Sequence, residues 1–174
     1  MPQLITPTAD RHKAWLAARD DWDGALQHGS GLSPEHDVDS PEGFAAWVTW
    51  LNAQPGNAFV YPDDRVPATH WWIAEDEDIL GAITLRHRLT PKLLEAGGNI
   101  GYGIRPSSRG RGVATWALRE VIREATATGL DRALLTCDES NPASARVIEH
   151  CGGVLEDIRD TWLGRTRRYW ITLT

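Results

Sequence analysis

Apolar residues recur along the chain at helical and strand spacings in turn, and the alternation predicts interleaved elements. A short strand at residues 3–5 leads to a helical stretch over residues 8–20 and then to a Gly/Asp/Ser/Pro-rich segment, 21–40, whose composition predicts a long loop. Loops of that length inside compact domains are often functional. Ser40, Pro41 and Glu42 form a helix start, with Ser as cap, Pro at the first helical position and an acid in the first turn. Phe44, Trp47, Val48 and Leu51 then share one face. After a second loop, 53–69, the runs HWWIAE and ILGAITLRHRL read as strands around the acidic turn 76–78. A short helix at 91–96 is stopped by Gly97 and Gly98 and followed by the strand NIGYGI.

The second half repeats the alternation more strongly. A helix opening near Arg109 presents Val113, Ala117, Leu118, Val121, Ile122 and Ala125 at helical spacing, and Gly129 ends it. The strand ALLTC, the helix NPASARVIEHCG and a closing hairpin around VLEDIRDTWLG and RTRRYWITLT complete the order. This order predicts an α/β domain with a mixed central sheet flanked by helices. At 174 residues and 41% hydrophobic composition, one core suffices.

Charge divides the chain. Residues 1–80 carry 14 acidic against 4 basic residues, and residues 81–174 carry 10 against 14. An acidic half favours a cationic ligand and argues against nucleic acid, whereas a mildly basic half suits a compact anion such as a diphosphate. No apolar run reaches about 18 residues and the N-terminus lacks the order of a secretory signal, so a cytoplasmic chain with no membrane partner is expected. Cys137 and Cys151 sit in an apolar strand pattern and at a helix end, positions that suit core packing better than a disulfide or metal site; no metal is expected.

The chemistry concentrates in IRPSSRGRGVATWALREVIREA, residues 104–125. The first N–H groups of a helix lack internal acceptors and carry the positive end of its dipole, so a start rich in small residues accommodates phosphate oxygens. Gly110 and Gly112 let the amides from Arg109 through Arg111 and Val113 to Ala114 approach an anion, with the arginines at the rim. A plain Arg-Gly turn would have the same hexapeptide. A Walker loop fails for want of Gly-Lys-Ser/Thr, and a dinucleotide fingerprint fails because Pro106 stands where its third glycine would be.

Strand, IRPSSRGRGVAT, long helix, apolar strand and NPASARVIEHCGG, in that order, resemble the acetyl-CoA-binding core of the GNAT superfamily of N-acetyltransferases, whose phosphate loop Arg/Gln-x-x-Gly-x-Gly/Ala here reads Arg109-x-x-Gly112-x-Ala114. The likeness covers roughly residues 81–173. LRHRL, GGNIGYGIRP and the Asn-Pro-Ala-Ser helix further resemble a bacterial branch similar to the aminoglycoside 2'-N-acetyltransferases that act on kasugamycin. The resemblance implies a single N-acetyltransferase domain over residues 1–174, with 81–174 as the cofactor core and 1–80 mainly on the acceptor side. It implies acetyl-CoA as co-substrate and a parallel pair of strands, one ending at Ile104 and one through Leu135, that splay to admit the pantetheine arm. It assigns the Ile104 main chain to the acetyl end, Arg109 to Ala114 to the pyrophosphate, and Asn141 to the pantetheine, with Ser144 one turn on, facing the thioester or the rest of the cofactor. A homodimer is compatible with the sequence.

Acetyl transfer to an amine needs a neutral nitrogen, donors for the tetrahedral oxyanion, and help for the departing thiolate. The Ile104 N–H is the expected oxyanion donor. Many members of the superfamily protonate the thiolate with a Tyr seven residues beyond the Asn; Ile148 stands there, which leaves Ser144, water or unassisted departure. The usual carboxylate base falls near Asn99, which accepts no proton, so His87 is expected as base, in competition with Asp63, Asp64 and Glu75. The acceptor site is expected in loop 21–40 and segment 61–69, with Asp63, Asp64 and Glu75 as anionic contacts. Six of the nine tryptophans precede residue 81; Trp47 and Trp71 read as core and Trp22 as ligand-facing. The sequence thus points to acetylation of a cationic small molecule, an aminoglycoside or aminocyclitol, with a protein acetyltransferase and a non-catalytic acyl-CoA sensor as the other readings.

Overall fold

The computed structural model describes residues 1–54 and 65–174. Strands β1 (Gln3–Ile5), β2 (Ala68–Glu75), β3 (Asp78–Arg86) and β4 (Ile100–Ile104) pair in that order, while β5 (Arg132–Asp138), β6 (Val154–Thr161) and β7 (Gly164–Thr172) form a second sheet in the order β5-β7-β6. Helices α1 (His12–Asp21), α2 (Pro41–Ala53), α3 (Pro91–Glu95), α4 (Val113–Ala127) and α5 (Pro142–His150) interleave with them.

Alternation along β2 divides its side chains between two cores. Ile73 joins Ile83, Leu85, Leu118, Val121 and Leu135, between the sheets and α4. Trp72 and Ala74 face the other way, onto α1 and α2. There the rings of Trp15, Phe44, Trp47 and Trp72 lie 5.0 to 6.3 Å apart, so these aromatics hold helices to sheet rather than face a ligand. Ser40 caps α2 as its sequence predicts, accepting from the Gly43 N–H at 3.0 Å.

Several boundaries differ from expectation. The stretch expected as one helix over 8–20 divides into a 3-10 turn, Ala9–Arg11, and α1. The helix expected to open near Arg109 starts at Val113, because its cap, Gly112, is left-handed with φ 77°. The strand expected through residue 89 ends at Arg86, beyond which the His87 N–H donates to Pro67 O at 2.8 Å.

The sheet differs most. A single mixed sheet with parallel neighbours was the expectation, yet every ladder among the described residues is antiparallel, and β4 and β5 share none. Hydrogen bonds tie the two only near the start of β4 among the described residues, where the Gly97 N–H donates to Thr136 Oγ1 at 3.0 Å. The Asn99 N–H donates to Leu134 O at 2.7 Å, and the Leu134 N–H donates to Asn99 Oδ1 at 2.8 Å. Asn99 Nδ2 donates in turn to Arg86 O at 3.2 Å, so this buried side chain clips the two sheets together. Gly98, with φ 66°, lets the chain pass: a Cβ there would lie 2.3 Å from Leu134 O. Past the clip, β4 has an unpaired edge among the described residues.

Candidate functional site

The register of β3 and β4 decides which peptide groups face that edge. Arg86 N donates to Asn99 O and Arg105 N to Leu80 O, so residues 99, 101, 103 and 105 spend their backbone groups on β3. By antiparallel alternation, the N–H and C=O of Tyr102 and Ile104 point the other way. They open onto a cleft of about 500 Å³ bounded by β4, the start of α4 and α5.

At the mouth of α4 the loop residues expected to hold phosphate line this cleft, Arg111 excepted. Gly110 and Gly112 have φ of 76° and 77°, which is the conformational reason for glycine at both places. A Cβ at either would meet nothing within 4 Å, so the space over them is open. Among the described residues, the N–H groups of residues 110 to 115 have no acceptor, and no side chain caps the helix. Such a set of amides at the positive end of a 15-residue helix fits a diphosphate. Arg109 and Arg111 are each engaged: Arg109 Nε donates to Ile104 O at 2.9 Å with its guanidinium 5.1 Å from the Trp22 ring, and Arg111 donates to Glu75 at 2.6 Å.

On the opposite wall, Asn141 lines the cleft and caps α5, its Oδ1 accepting from the Ser144 N–H at 3.2 Å, which leaves the Nδ2 donors unspent on the cap. Ser144 Oγ lies 2.8 Å from the Tyr102 hydroxyl. Ile148 is fully buried in the main core, so nothing at that position reaches the cleft. Cys137 and Cys151 are free; burial raises both thiols, and Cys151 faces Thr115 O at 3.6 Å.

The acceptor-side residues are less concentrated. Trp22 lines the cleft although only 8% exposed. His28 lines it as well, and its backbone oxygen is 2.7 Å from where a Gly103 Cβ would be, so Gly103 lets loop 22–31 lie on β4. Burial lowers the His28 pKa and keeps its ring neutral. That loop is anchored from below: Thr84 donates to Gly29 O at 2.7 Å, and His70 Nδ1 lies 2.8 Å from the same hydroxyl. His70 is buried and its pKa falls to about 4, chiefly by desolvation.

His87 is elsewhere. It lies beyond the Arg86 end of β3, is not part of the cleft wall, and sets Nε2 2.8 Å from Thr69 Oγ1. Glu75 pairs with Arg111 and with the N-terminal ammonium, and the Arg111 hydrogen bond holds its carboxyl below the ordinary range. Asp63 and Asp64 lie outside the described residues. Neither His28 nor Tyr102 stands out in the sequence; the available signals were a histidine in a long Gly/Ser loop and one bulky side chain between Gly101 and Gly103. No cluster of His, Cys, Asp or Glu among the described residues could hold a metal, and none of their helices is long and apolar enough to cross a membrane.

Comparison with known proteins agrees with this geometry. The acetyltransferase (GNAT) domain family matches residues 3–154, and the chain belongs to that family, whose enzymes move acetyl from acetyl-CoA to an amine. Among solved structures, the ribosomal-protein-S5-alanine acetyltransferase from Vibrio fischeri is 15% identical with a TM-score of 0.74, over 99% of this chain and 93% of that one. The ribosomal L7/L12 alpha-N-protein acetyltransferase RimL, in complex with coenzyme A, is 17% identical with a TM-score of 0.72, over 99% and 94%. The microcin C7 self immunity acetyltransferase MccE, in complex with acetyl-CoA and AMP, is 15% identical with a TM-score of 0.68, over 98% and 92%. At these identities the likenesses establish the fold. No protein of curated function matches the sequence.

Proposed function

We propose that this GNAT-family enzyme acetylates a primary amine on a small cationic acceptor, an aminoglycoside or aminocyclitol such as kasugamycin, in the cytoplasm, and so confers resistance by acetylation. The observation that carries the cofactor half is one cleft uniting the outward peptide groups of β4, the acceptor-free amides of the α4 mouth, Asn141 and Ser144. The narrower sequence resemblance and the acidic balance of residues 1–80 support the acceptor half.

In this reading acetyl-CoA supplies the acyl group as a thioester. The amides of residues 110 to 114 hold the diphosphate, Asn141 Nδ2 meets the pantetheine, and that arm lies along the free edge of β4 as an added strand would. The Ile104 N–H donates to the carbonyl oxygen as it becomes an oxyanion, and the Tyr102 peptide group, one step back along the strand, is left to the pantetheine arm. His28 replaces His87 as the group that takes the nitrogen's proton, because it lines the cleft as a neutral imidazole. His28→Gln should then lower kcat/KM about a hundredfold at neutral pH. The wild-type profile should fall as pH drops through the lowered His28 pKa, and the variant should lack that limb; an unchanged profile would return the role to water.

A second reading, acetylation of a protein N-terminus or lysine, draws on what RimL and the Vibrio fischeri enzyme are described as modifying. Incubation with acetyl-CoA, kasugamycin, other aminoglycosides and Ser- or Ala-initiated peptides, read by mass spectrometry, separates the two. A gain of one acetyl group on an antibiotic is expected. Acetylation of peptides alone would replace the first reading by the second, and no turnover with any amine would favour an acyl-CoA sensor.

A further inference from the structure

The buried Ile148 leaves the departing thiolate without its usual partner in this family, and the cleft wall offers one pair of hydroxyls in its place. Tyr102 comes from β4 and Ser144 from the first turn of α5, and their oxygens are 2.8 Å apart. Tyr102 Oη can also donate to Ser144 O, but at 3.4 Å that contact is the longer one, so the phenol is fixed against the two oxygens of one residue with Oγ the nearer. Both side chains line the cleft between the outward peptide groups of β4 and the capped start of α5.

We propose that Tyr102 is a positioning residue that donates its phenolic hydrogen to Ser144 Oγ and thereby turns the serine's own hydrogen into the cleft, onto the sulfur of the departing coenzyme A. The inference rests on the acetyl-transfer reading above. A hydroxyl has one hydrogen to give, and an oxygen already accepting from Tyr102 keeps that hydrogen for another acceptor. The Ser144 hydroxyl also acts on the Cys137 thiol, lowering a pKa that burial raises. A thiol sulfur accepts weakly, so a thiolate arriving in the cleft takes the hydrogen bond from it. Burial keeps Tyr102 protonated at every working pH, so its hydrogen is always available.

The step balances without consuming either hydroxyl. The carbon–sulfur bond breaks, its electron pair stays on sulfur, and Ser144 stabilises that charge with a hydrogen bond while keeping its proton. The proton that finally neutralises the sulfur is the one lost by the attacking nitrogen, returned through His28 or solvent. Tyr102 touches neither sulfur nor acyl group in this scheme and works through Ser144.

The test is a kinetic double-mutant cycle on the full chain with the best amine from the acceptor panel. Tyr102→Phe should lower kcat about tenfold, the equivalent of one well-placed hydrogen bond, with the KM for acetyl-CoA unchanged. Ser144→Ala should lose at least as much, and the double variant no more than Ser144→Ala alone, since Tyr102 acts only through the serine. Losses that multiply in the double variant, or wild-type kcat in Tyr102→Phe, would overturn the proposal. Calorimetric acetyl-CoA affinity and thermal midpoint of each variant show that binding and folding persist; a Tyr102→Phe loss that follows weaker binding or partial unfolding also counts against it. Absence of turnover in the wild-type chain would instead remove the acetyl-transfer reading on which this one stands.

Discussion

Gly112 carries two demands at once: a left-handed backbone at the start of α4 and an amide exposed to an anion. Gly112→Asp sets a carboxylate against the same amides that are to hold the diphosphate. It also costs about 1 kcal/mol for the left-handed conformation, a minor term for the fold. Acetyl-CoA affinity by calorimetry should fall at least a hundredfold while the chain stays folded; near-normal affinity would refute the assignment of this loop. Arg109, Gly110, Gly112, Val113, Ala114, Asn141 and Ser144 line one cleft, a grouping legible in sequence because it depends on local spacing at two helix starts. His28 and Tyr102 could not, because nothing in their own neighbourhoods brings them to a cleft; a loop folding back on Gly101 and Gly103 does that for His28. His87 drew notice by its imidazole alone, and the end of β3 carries it away from the site.

Between elements, the decisive contact is the Asn99 clip. It joins β4 to β5 at one level and leaves the rest of the β4 edge for a ligand. Replacing Asn99 by Leu removes both side-chain bonds, strands the buried Leu134 N–H and deprives Arg86 O of its amide partner. Unfolding free energy in urea should drop by about 2–4 kcal/mol. A loss below about 0.5 kcal/mol would show that the sheets hold together without it. The order of strands and helices was legible because hydrophobic period changes from 3.6 to 2 at each junction. The division into two sheets was not. Period fixes which faces are apolar, but whether two strands share a ladder depends on long-range register, here interrupted by one asparagine side chain and the Gly97–Gly98 turn.

Across the whole molecule, loop 22–31 of the acidic half lies on β4 of the basic half, and that loop rests on a neutral histidine. His70 titrates near 4 in the folded chain against an ordinary 6.5, so between those values the unfolded chain holds the extra proton. Its contribution is complete above about pH 6.5 and is lost as pH falls toward 4, a decline of about 3 kcal/mol. Urea titrations should show that decline in the wild type and a flatter course in His70→Gln; parallel curves would contradict a buried neutral ring. The charge asymmetry that first set an acidic half against a basic one lies in the sequence for anyone to count, but its acceptor carboxylates are not on the described cleft wall, whose charged residues are basic. Function therefore rests first on the cofactor site. A crystal structure of the chain soaked with coenzyme A tests it most directly: both phosphorus atoms of the diphosphate should sit within hydrogen-bonding reach of the amides of residues 110 to 114, with the pantetheine against Tyr102 and Ile104. Phosphates bound anywhere else on the molecule would contradict it.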